Sequence, residues 1–196
     1  MNRIKHLRSF EVFVGTFNAN NKNPSENFSE WLCVDSLPDI YVIGCQEIVG
    51  LNPLNVGFLP NHSSSPWEQK ILETLDDQYV VLVTEQLVGL LIMCFIRPHL
   101  IPYMSRCQTD TIGVGFLGVG GNKGAVKVKF RLFDTEFVFI NSHLAAHDNE
   151  IANRRRHFFK IARRFGVYEH VNSVQRAAEE RLGETVQEAY AKEKEE

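Results

Sequence analysis

A chain of 196 residues, 44% hydrophobic and 23% charged, is long enough for one domain with a sizeable core, with or without a tail, and has an ordinary globular composition. Its formal net charge of −3 carries no polybasic signature for nucleic acid or an anionic membrane. The four cysteines form no C-x-x-C pair, which speaks against zinc and for reduced core thiols in an intracellular protein. No apolar run reaches transmembrane length, and the basic start M-N-R-I-K-H-L-R-S-F leads into no secretory signal.

In chain order, Glu11 to Phe17 reads as a buried strand that ends at Asn18. Asparagines at 18, 20, 21 and 23 mark a loop, because Asn bonds its own backbone and tolerates left-handed φ. Ser25 or Asn23 is placed to cap a short helix through Leu32, with Phe28, Trp31 and Leu32 on one face. Ile40 to Cys45 is a second buried strand, delivering Gln46 and Glu47 at its end. Residues 50–66, rich in Pro and Gly, read as a long surface loop. Trp67, Ile71 and Leu75, at every fourth position, predict an amphipathic helix.

Tyr79–Glu85 and Leu87–Ile96 predict two further strands, the second closed by Arg97-Pro98. Residues 109–124 contain six glycines and read as a loop that something approaches closely. Ala125 to Leu132 alternates apolar and basic residues, the pattern of a half-exposed strand. Phe137 to Ile140 is wholly apolar, the pattern of a strand buried on both faces, and it breaks into Asn141, Ser142 and His143. Asp148 to Phe165 predicts a helix carrying Arg154, Arg155 and Arg156. From residue 166 onward Val174, Ala178, Leu182 and Val186 recur every fourth residue among many charges, predicting a charged helical tail.

Three strands therefore end in polar groups: Asn18, Gln46-Glu47, and Asn141-Ser142-His143. In α/β sheets such ends face the crevice where ligands bind. Asn18 and Glu47 are the residue types that Mg²⁺ prefers, since it takes oxygen ligands and keeps several waters. His143 is a poor magnesium ligand but can donate to a phosphoryl oxygen. Read singly, each has a plainer account, His143 as a core histidine and the arginine run as a solvated helix face.

The segments F-V-G-T-F-N-A-N (13–20), P-D-I-Y-V-I-G-C-Q-E (38–47), L-V-G-L-L-I-M-C-F-I-R (87–97), G-N-K-G-A-V (121–126) and F-I-N-S-H-L-A-A-H (139–147) occur together and in this order. In this combination the chain resembles the amino-terminal half of the inositol polyphosphate 5-phosphatase catalytic domain. The resemblance implies an α/β fold, part of a four-layer α/β sandwich of the deoxyribonuclease-like (endonuclease/exonuclease/phosphatase) kind, truncated here. It implies a lead-in over 1–10, a partial catalytic domain over 11–165 and a tail of unknown role over 166–196.

The implied activity is Mg²⁺-dependent hydrolysis of the 5-phosphate of a phosphoinositide lipid or a soluble inositol polyphosphate. Glu47 is implied as the direct metal ligand, Asn18 as a residue that holds or orients the ion, and His143 as the phosphate-contacting histidine. Phe116 and Leu117 are implied as membrane contacts, and Asn122 and Lys123 as headgroup contacts. Arg154 and Arg155 fall where the family has substrate-facing arginines, but here the segment reads N-R-R-R-H-F-F. Peripheral contact with the cytosolic face of a membrane, a cytoplasmic location and no nucleic-acid partner complete the expectation. The family's G-D-x-N-Y-R, P-S/A-W-C-D-R and S-D-H segments do not occur in these 196 residues. Half a sandwich is expected to leave the inner face of one sheet uncovered. The alternatives are a catalytically silent phosphoinositide-binding module and another metal-dependent phosphodiesterase or nuclease of the same superfamily.

Overall fold

Uninterrupted apolar runs form strands buried on both faces, and alternating runs form strands with one wet face. β2 (Ile40–Gln46) and β4 (Leu90–Ile96) are of the first kind, and β6 (Gly124–Leu132) is of the second. The computed structural model describes residues 9–49, 65–115 and 123–167. With β1 (Val12–Asn18) and β3 (Val80–Leu87), the central pair forms a four-stranded sheet in the order β1-β2-β4-β3. β1 and β2 are parallel and the other neighbours antiparallel. A second, antiparallel sheet has the order β5 (Met104–Gly113), β6, β7 (Thr135–His143).

The sheets face each other across an aliphatic layer. Ile40, Val42, Leu90, Ile92 and Ile96 of the first meet Val126, Val128, Phe130 and Leu132 of the second. Each such side chain stabilises the fold by roughly 1.5–3 kcal/mol through burial. Outside the first sheet, α1 (Pro66–Leu75) buries Trp67, Ile71 and Leu75 against Tyr41, Met93 and Phe95. The helix begins where its sequence dictates, with Pro66 in the first turn and the Ser65 hydroxyl accepting from the Trp67 N–H at 3.3 Å. Outside the second sheet, α2 (Ile151–Arg164) and the residue after it set Ile161 and Phe165 against Val114 and Ala125. Arg164 ties that helix end to Asp110 of β5 at 2.9 Å. The order helix, sheet, sheet, helix makes four layers.

Several expectations need correction. Residues 23–28 take up no regular structure and residues 29–33 form a turn in place of the expected helix, followed by a 3-10 turn at Val34–Ser36. Cys33 and Leu37, at φ 49° and 48°, break the helical path. Phe28 and Leu32 are buried all the same, because Trp31 and Phe28 pack on Phe17 at 5.5 and 5.9 Å between ring centres. The glycine-rich reading of 109–124 hid part of a strand: β5 runs to Gly113, and residues 105–109 are exposed, so no apolar alternation announced it.

Leu87 belongs to β3, because the hairpin turns at Val88-Gly89, with Val88 at φ 52°. Phe137 and Phe139 point inward, but Val138 and Ile140 are 45% and 37% exposed, so β7 is half-covered and not buried on both faces. Cys45 and Cys94 are core thiols as expected, whereas Cys33 and Cys107 are exposed. Nor is a whole inner face left open. β7 lies against β2 and β4, and among the described residues the inner face is open at β1, where Val14 is 62% exposed. Most of the 50–66 loop and of the 166–196 tail lies outside the described residues.

Candidate active site

Parallel pairing of β1 with β2 sets Asn18 opposite Gln46, so the two strands end side by side. Glu47 then adopts φ 55°, a left-handed conformation that residues other than glycine seldom take. The Glu47 carbonyl accepts from the Asn21 N–H at 2.7 Å, and the Ile48 N–H donates to Gly89 O at 3.2 Å. Asn20 and Asn21 themselves sit at φ 47° and 58°, the asparagine-loop conformation predicted for them. Asn18 Nδ2 donates to Glu47 Oε1 at 3.1 Å, while Asn18 Oδ1 accepts from the Asn20 N–H at 2.9 Å. Asn18 thus aims the carboxylate and is itself held by the loop.

The second sheet contributes the other half. Antiparallel pairing sets Gly124 opposite His143, which brings the preceding Lys123 beside the histidine. Lys123 Nζ lies 2.7 Å from His143 Nε2, and that nitrogen lies 3.5 Å from Glu47 Oε1. Burial lowers the His143 pKa, the Lys123 charge lowers it further, and Glu47 partly opposes both. Burial also lowers Lys123, again opposed by Glu47. A neutral imidazole accepting at Nε2 from the lysine ammonium, with its proton on Nδ1, satisfies this arrangement.

Beneath the cluster a polar clasp joins the sheets. Asn141, 7% exposed, donates from Nδ2 to the carbonyls of Cys45 and Leu91, both at 2.9 Å. Its Oδ1 accepts from Gln46 Nε2 at 2.6 Å, and the same amide donates to Thr16 Oγ1 at 2.9 Å. Room for this exists because residue 44 is glycine: a Cβ there would stand 2.8 Å from Asn141 Cγ. Asn141 lies two residues before His143 and Gln46 one before Glu47, so the clasp sets the spacing of the two functional groups. Gln46 and Asn141 were visible as polar strand ends, but this bridging role was not. A glycine inside the apolar run I-Y-V-I-G-C was the one sequence sign of a close approach.

The structure brings Asn18, Glu47, Lys123 and His143 together. Arg154 hydrogen-bonds instead to the carbonyls of Ala145, His147 and Asp148, bracing the loop that leaves β7. Arg155 is exposed on α2. Phe116, Leu117 and Asn122 lie outside the described residues. Among the described residues no group of three or more His, Cys, Asp or Glu gathers to hold a metal. One oriented carboxylate nonetheless fits Mg²⁺, which keeps several waters and is commonly bound through one or two carboxylates plus substrate oxygens.

Residues 15–189 match the sequence profile of Endonuclease/Exonuclease/phosphatase family 2. The chain belongs to this family. Within it, the chain is 33% identical over 162 residues to the type II inositol 1,4,5-trisphosphate 5-phosphatase of Mus musculus, covering 81% of this chain and 16% of that protein. It is 33% identical over 176 residues to the synaptojanin of Caenorhabditis elegans, covering 79% and 16%. Among solved structures it superposes on the inositol polyphosphate 5-phosphatase domain of SPsynaptojanin in complex with inositol (1,4)-bisphosphate and calcium ion. That match has a TM-score of 0.66 at 31% identity and covers 78% of this chain and 45% of that one. The Cimex nitrophorin ferrous NO complex shares the fold at a TM-score of 0.54 and 15% identity. This family member thus spans less than half of the solved 5-phosphatase chain and about a sixth of these two curated relatives. None of its described helices is long and apolar enough to cross a membrane.

Proposed function

We propose that this chain carries the metal- and phosphate-facing half of an inositol polyphosphate 5-phosphatase site, acting on the 5-phosphate of a phosphoinositide or a soluble inositol polyphosphate. The observation that carries the reading is the convergence of Glu47, Lys123 and His143 from two sheets within 3.5 Å. The 5-phosphatase names of the relatives and the inositol bisphosphate and calcium of the solved domain support it.

Glu47 is the residue to hold Mg²⁺, and Asn18 the one to orient it. When bound, the ion supplies charge neutralisation on the phosphoryl oxygens. Lys123 offers a cation to the phosphate. An arriving phosphate competes with His143 for that ammonium, and its negative charge raises the histidine pKa, so that Nε2 becomes a donor to a phosphoryl oxygen. Phe116 and Leu117 are proposed to touch the lipid surface on the cytosolic face of a membrane, with Asn122 at the headgroup beside Lys123. Arg154 and Arg155 follow the same strand end, and Arg154 acts through the 145–148 loop that it braces.

The test is phosphate release from phosphatidylinositol 4,5-bisphosphate and from inositol 1,4,5-trisphosphate, with and without Mg²⁺, in a domain that includes this segment. Glu47→Ala is expected to abolish the Mg²⁺-dependent release, and normal turnover in that variant overturns the reading. A second reading, binding without catalysis, is favoured by the lone carboxylate among the described site residues. Sedimentation of the chain with liposomes that depends on phosphoinositide, with no phosphate released, would select it.

A further inference from the structure

α2 lies along β6 in matching steps. The Lys127 ammonium stands 4.9 Å from the centre of the Phe165 ring, and one turn earlier Ile161 packs on Ala125. Four helical residues advance about 6 Å and two strand residues about 6.7 Å, so each turn of the helix meets the next outward position of the strand. One further step carries the helix to His157 and the strand to Lys123, the lysine of the phosphate site. The electrostatics agree with this register, since the Lys123 charge is among those that lower the His157 pKa.

His157 is half-buried, and its Nδ1 is shielded from solvent with no hydrogen-bond partner among the described residues. Buried polar atoms in native folds are paired as a rule, so an unpaired one calls for a role. The neighbouring polar side chains of α2 are engaged. Asn153 donates to Glu150, Arg154 to the carbonyls of the 145–148 loop, and Arg164 to Asp110. The charges that face His157 are Arg156 and Lys160 of its own helix, Lys123 just before β6, and Glu150 in the turn before α2. Burial and the three cations outweigh the one carboxylate and keep the imidazole neutral at neutral pH, so it offers one lone pair. Arg156 and Lys160 are exposed to water, whereas Lys123 is itself half-buried. Of the three hydrogens on the Lys123 ammonium, His143 Nε2 takes one.

We propose that His157 is a positioning residue of the phosphate site: its Nδ1 accepts a second hydrogen of the Lys123 ammonium and holds that cation in place when a phosphate takes it from His143. The inference rests on the reading of Lys123 as the cation offered to phosphate. A lysine ammonium is a point charge on a flexible four-carbon stem, and fixing it costs entropy that otherwise falls on the binding step. An imidazole on either side, one from β7 and one from α2, places that cost in the fold instead. His157 acts through Lys123 and touches no phosphoryl oxygen itself, so its loss weakens phosphate binding without altering the groups at Glu47 and His143.

The experiment titrates inositol 1,4,5-trisphosphate into the 196-residue chain, isotopically labelled in its histidine rings, and follows the His143 and His157 signals by NMR. Saturation is expected to move the His157 Nδ1 signal, and Lys123→Met to abolish that movement. His157→Phe, which has no acceptor, is expected to weaken the affinity about tenfold, the size of one hydrogen bond to a charged group. His157→Asn, whose Oδ1 stands where Nδ1 stood, is expected to restore it to within about twofold. His157→Gln, whose carboxamide overlies Nε2, is expected to stay as weak as His157→Phe. Urea unfolding checks that each variant is folded, and the contrast between His157→Asn and His157→Gln decides the matter even where His157→Phe folds poorly. The inference is overturned if His157→Phe binds as the wild type does, if His157→Asn is as weak as His157→Phe, or if His157→Gln restores binding as well as His157→Asn. A His157 signal that moves equally in Lys123→Met also overturns it. In each of these cases the wild-type chain still binds, so the phosphate reading stands. A wild-type chain that does not bind the trisphosphate overturns both together.

Discussion

The space between the two sheets has a dry middle and a polar end, built by the same strands within a few residues. In the middle, Ile40, Val42 and Ile92 meet Val128 and Phe130, and every contact is apolar. At the end, Gln46 and Asn141 replace them with hydrogen bonds across the gap. Apolar packing is non-directional, so the middle supplies stability while tolerating small sliding. Hydrogen bonds of 2.6–2.9 Å hold donor and acceptor in one register, so the end supplies position, at the place where Glu47 and His143 must meet.

Substitutions can separate these roles. Phe130→Ala should have the largest effect on stability, about 3–5 kcal/mol, because the ring is fully buried and lies 5.5 Å from Phe137 and 5.9 Å from Phe139. Urea unfolding measures it. Any surviving folded fraction should keep its ligand affinity, and a parallel loss of affinity would erase the distinction between the two regions. His143→Ala should do the reverse, lowering phosphate release in a complete domain by about 10²–10³ while leaving the unfolding midpoint nearly in place.

Asn141→Leu tests the boundary itself. It takes from the Gln46 amide one of its two acceptors and from the carbonyls of Cys45 and Leu91 the Asn141 donor, a cost of about 1–3 kcal/mol for a buried group left unpaired. It should also displace the His143 ring resonances in NMR spectra, which Phe130→Ala should not. Equal displacement by both variants would show that the clasp does not position the site.

The smallest expected effect is on pH dependence. Burial holds the folded His143 pKa below its ordinary value of 6.5, so just under that pH the unfolded chain binds a proton that the folded chain does not. Stability is therefore lost as pH falls from 6.5 through the folded value. His143→Asn should make that acid-side decline shallower, measured by urea unfolding across the window. It should not remove the decline, because His157 is lowered by burial in the same direction. A steeper slope in the variant would contradict a His143 pKa held down in the folded state.

Much of this protein was legible in one dimension. The central strands were readable because I-Y-V-I-G-C and L-L-I-M-C-F-I have nowhere to go but between two covered faces. α1 was readable because Trp67, Ile71 and Leu75 keep helical spacing, although its first residue, Pro66, was read as the end of the preceding loop. Asn18, Glu47 and His143 were marked by their strand-end positions, and Lys123 by the motif of the glycine-rich segment in which it lies. β5 was not readable, because an edge strand with exposed, polar and charged side chains leaves no periodic signal. The irregular path of residues 23–32 was not readable either, because aromatic packing on Phe17 imitates helical spacing.

By itself, then, the sequence determined the family, the strand-rich α/β class, the central strands and the residues that meet at the site, because local pattern and motif order suffice for these. Tertiary structure alone decided the rest. The left-handed turn at Glu47, the Lys123–His143 contact and the Asn141 clasp over Gly44 all depend on which strands lie side by side. Lys123 and His143 are 20 positions apart, and Asn141 reaches back 96 positions to Cys45. Such pairings follow from the packing of whole sheets, which no local pattern encodes.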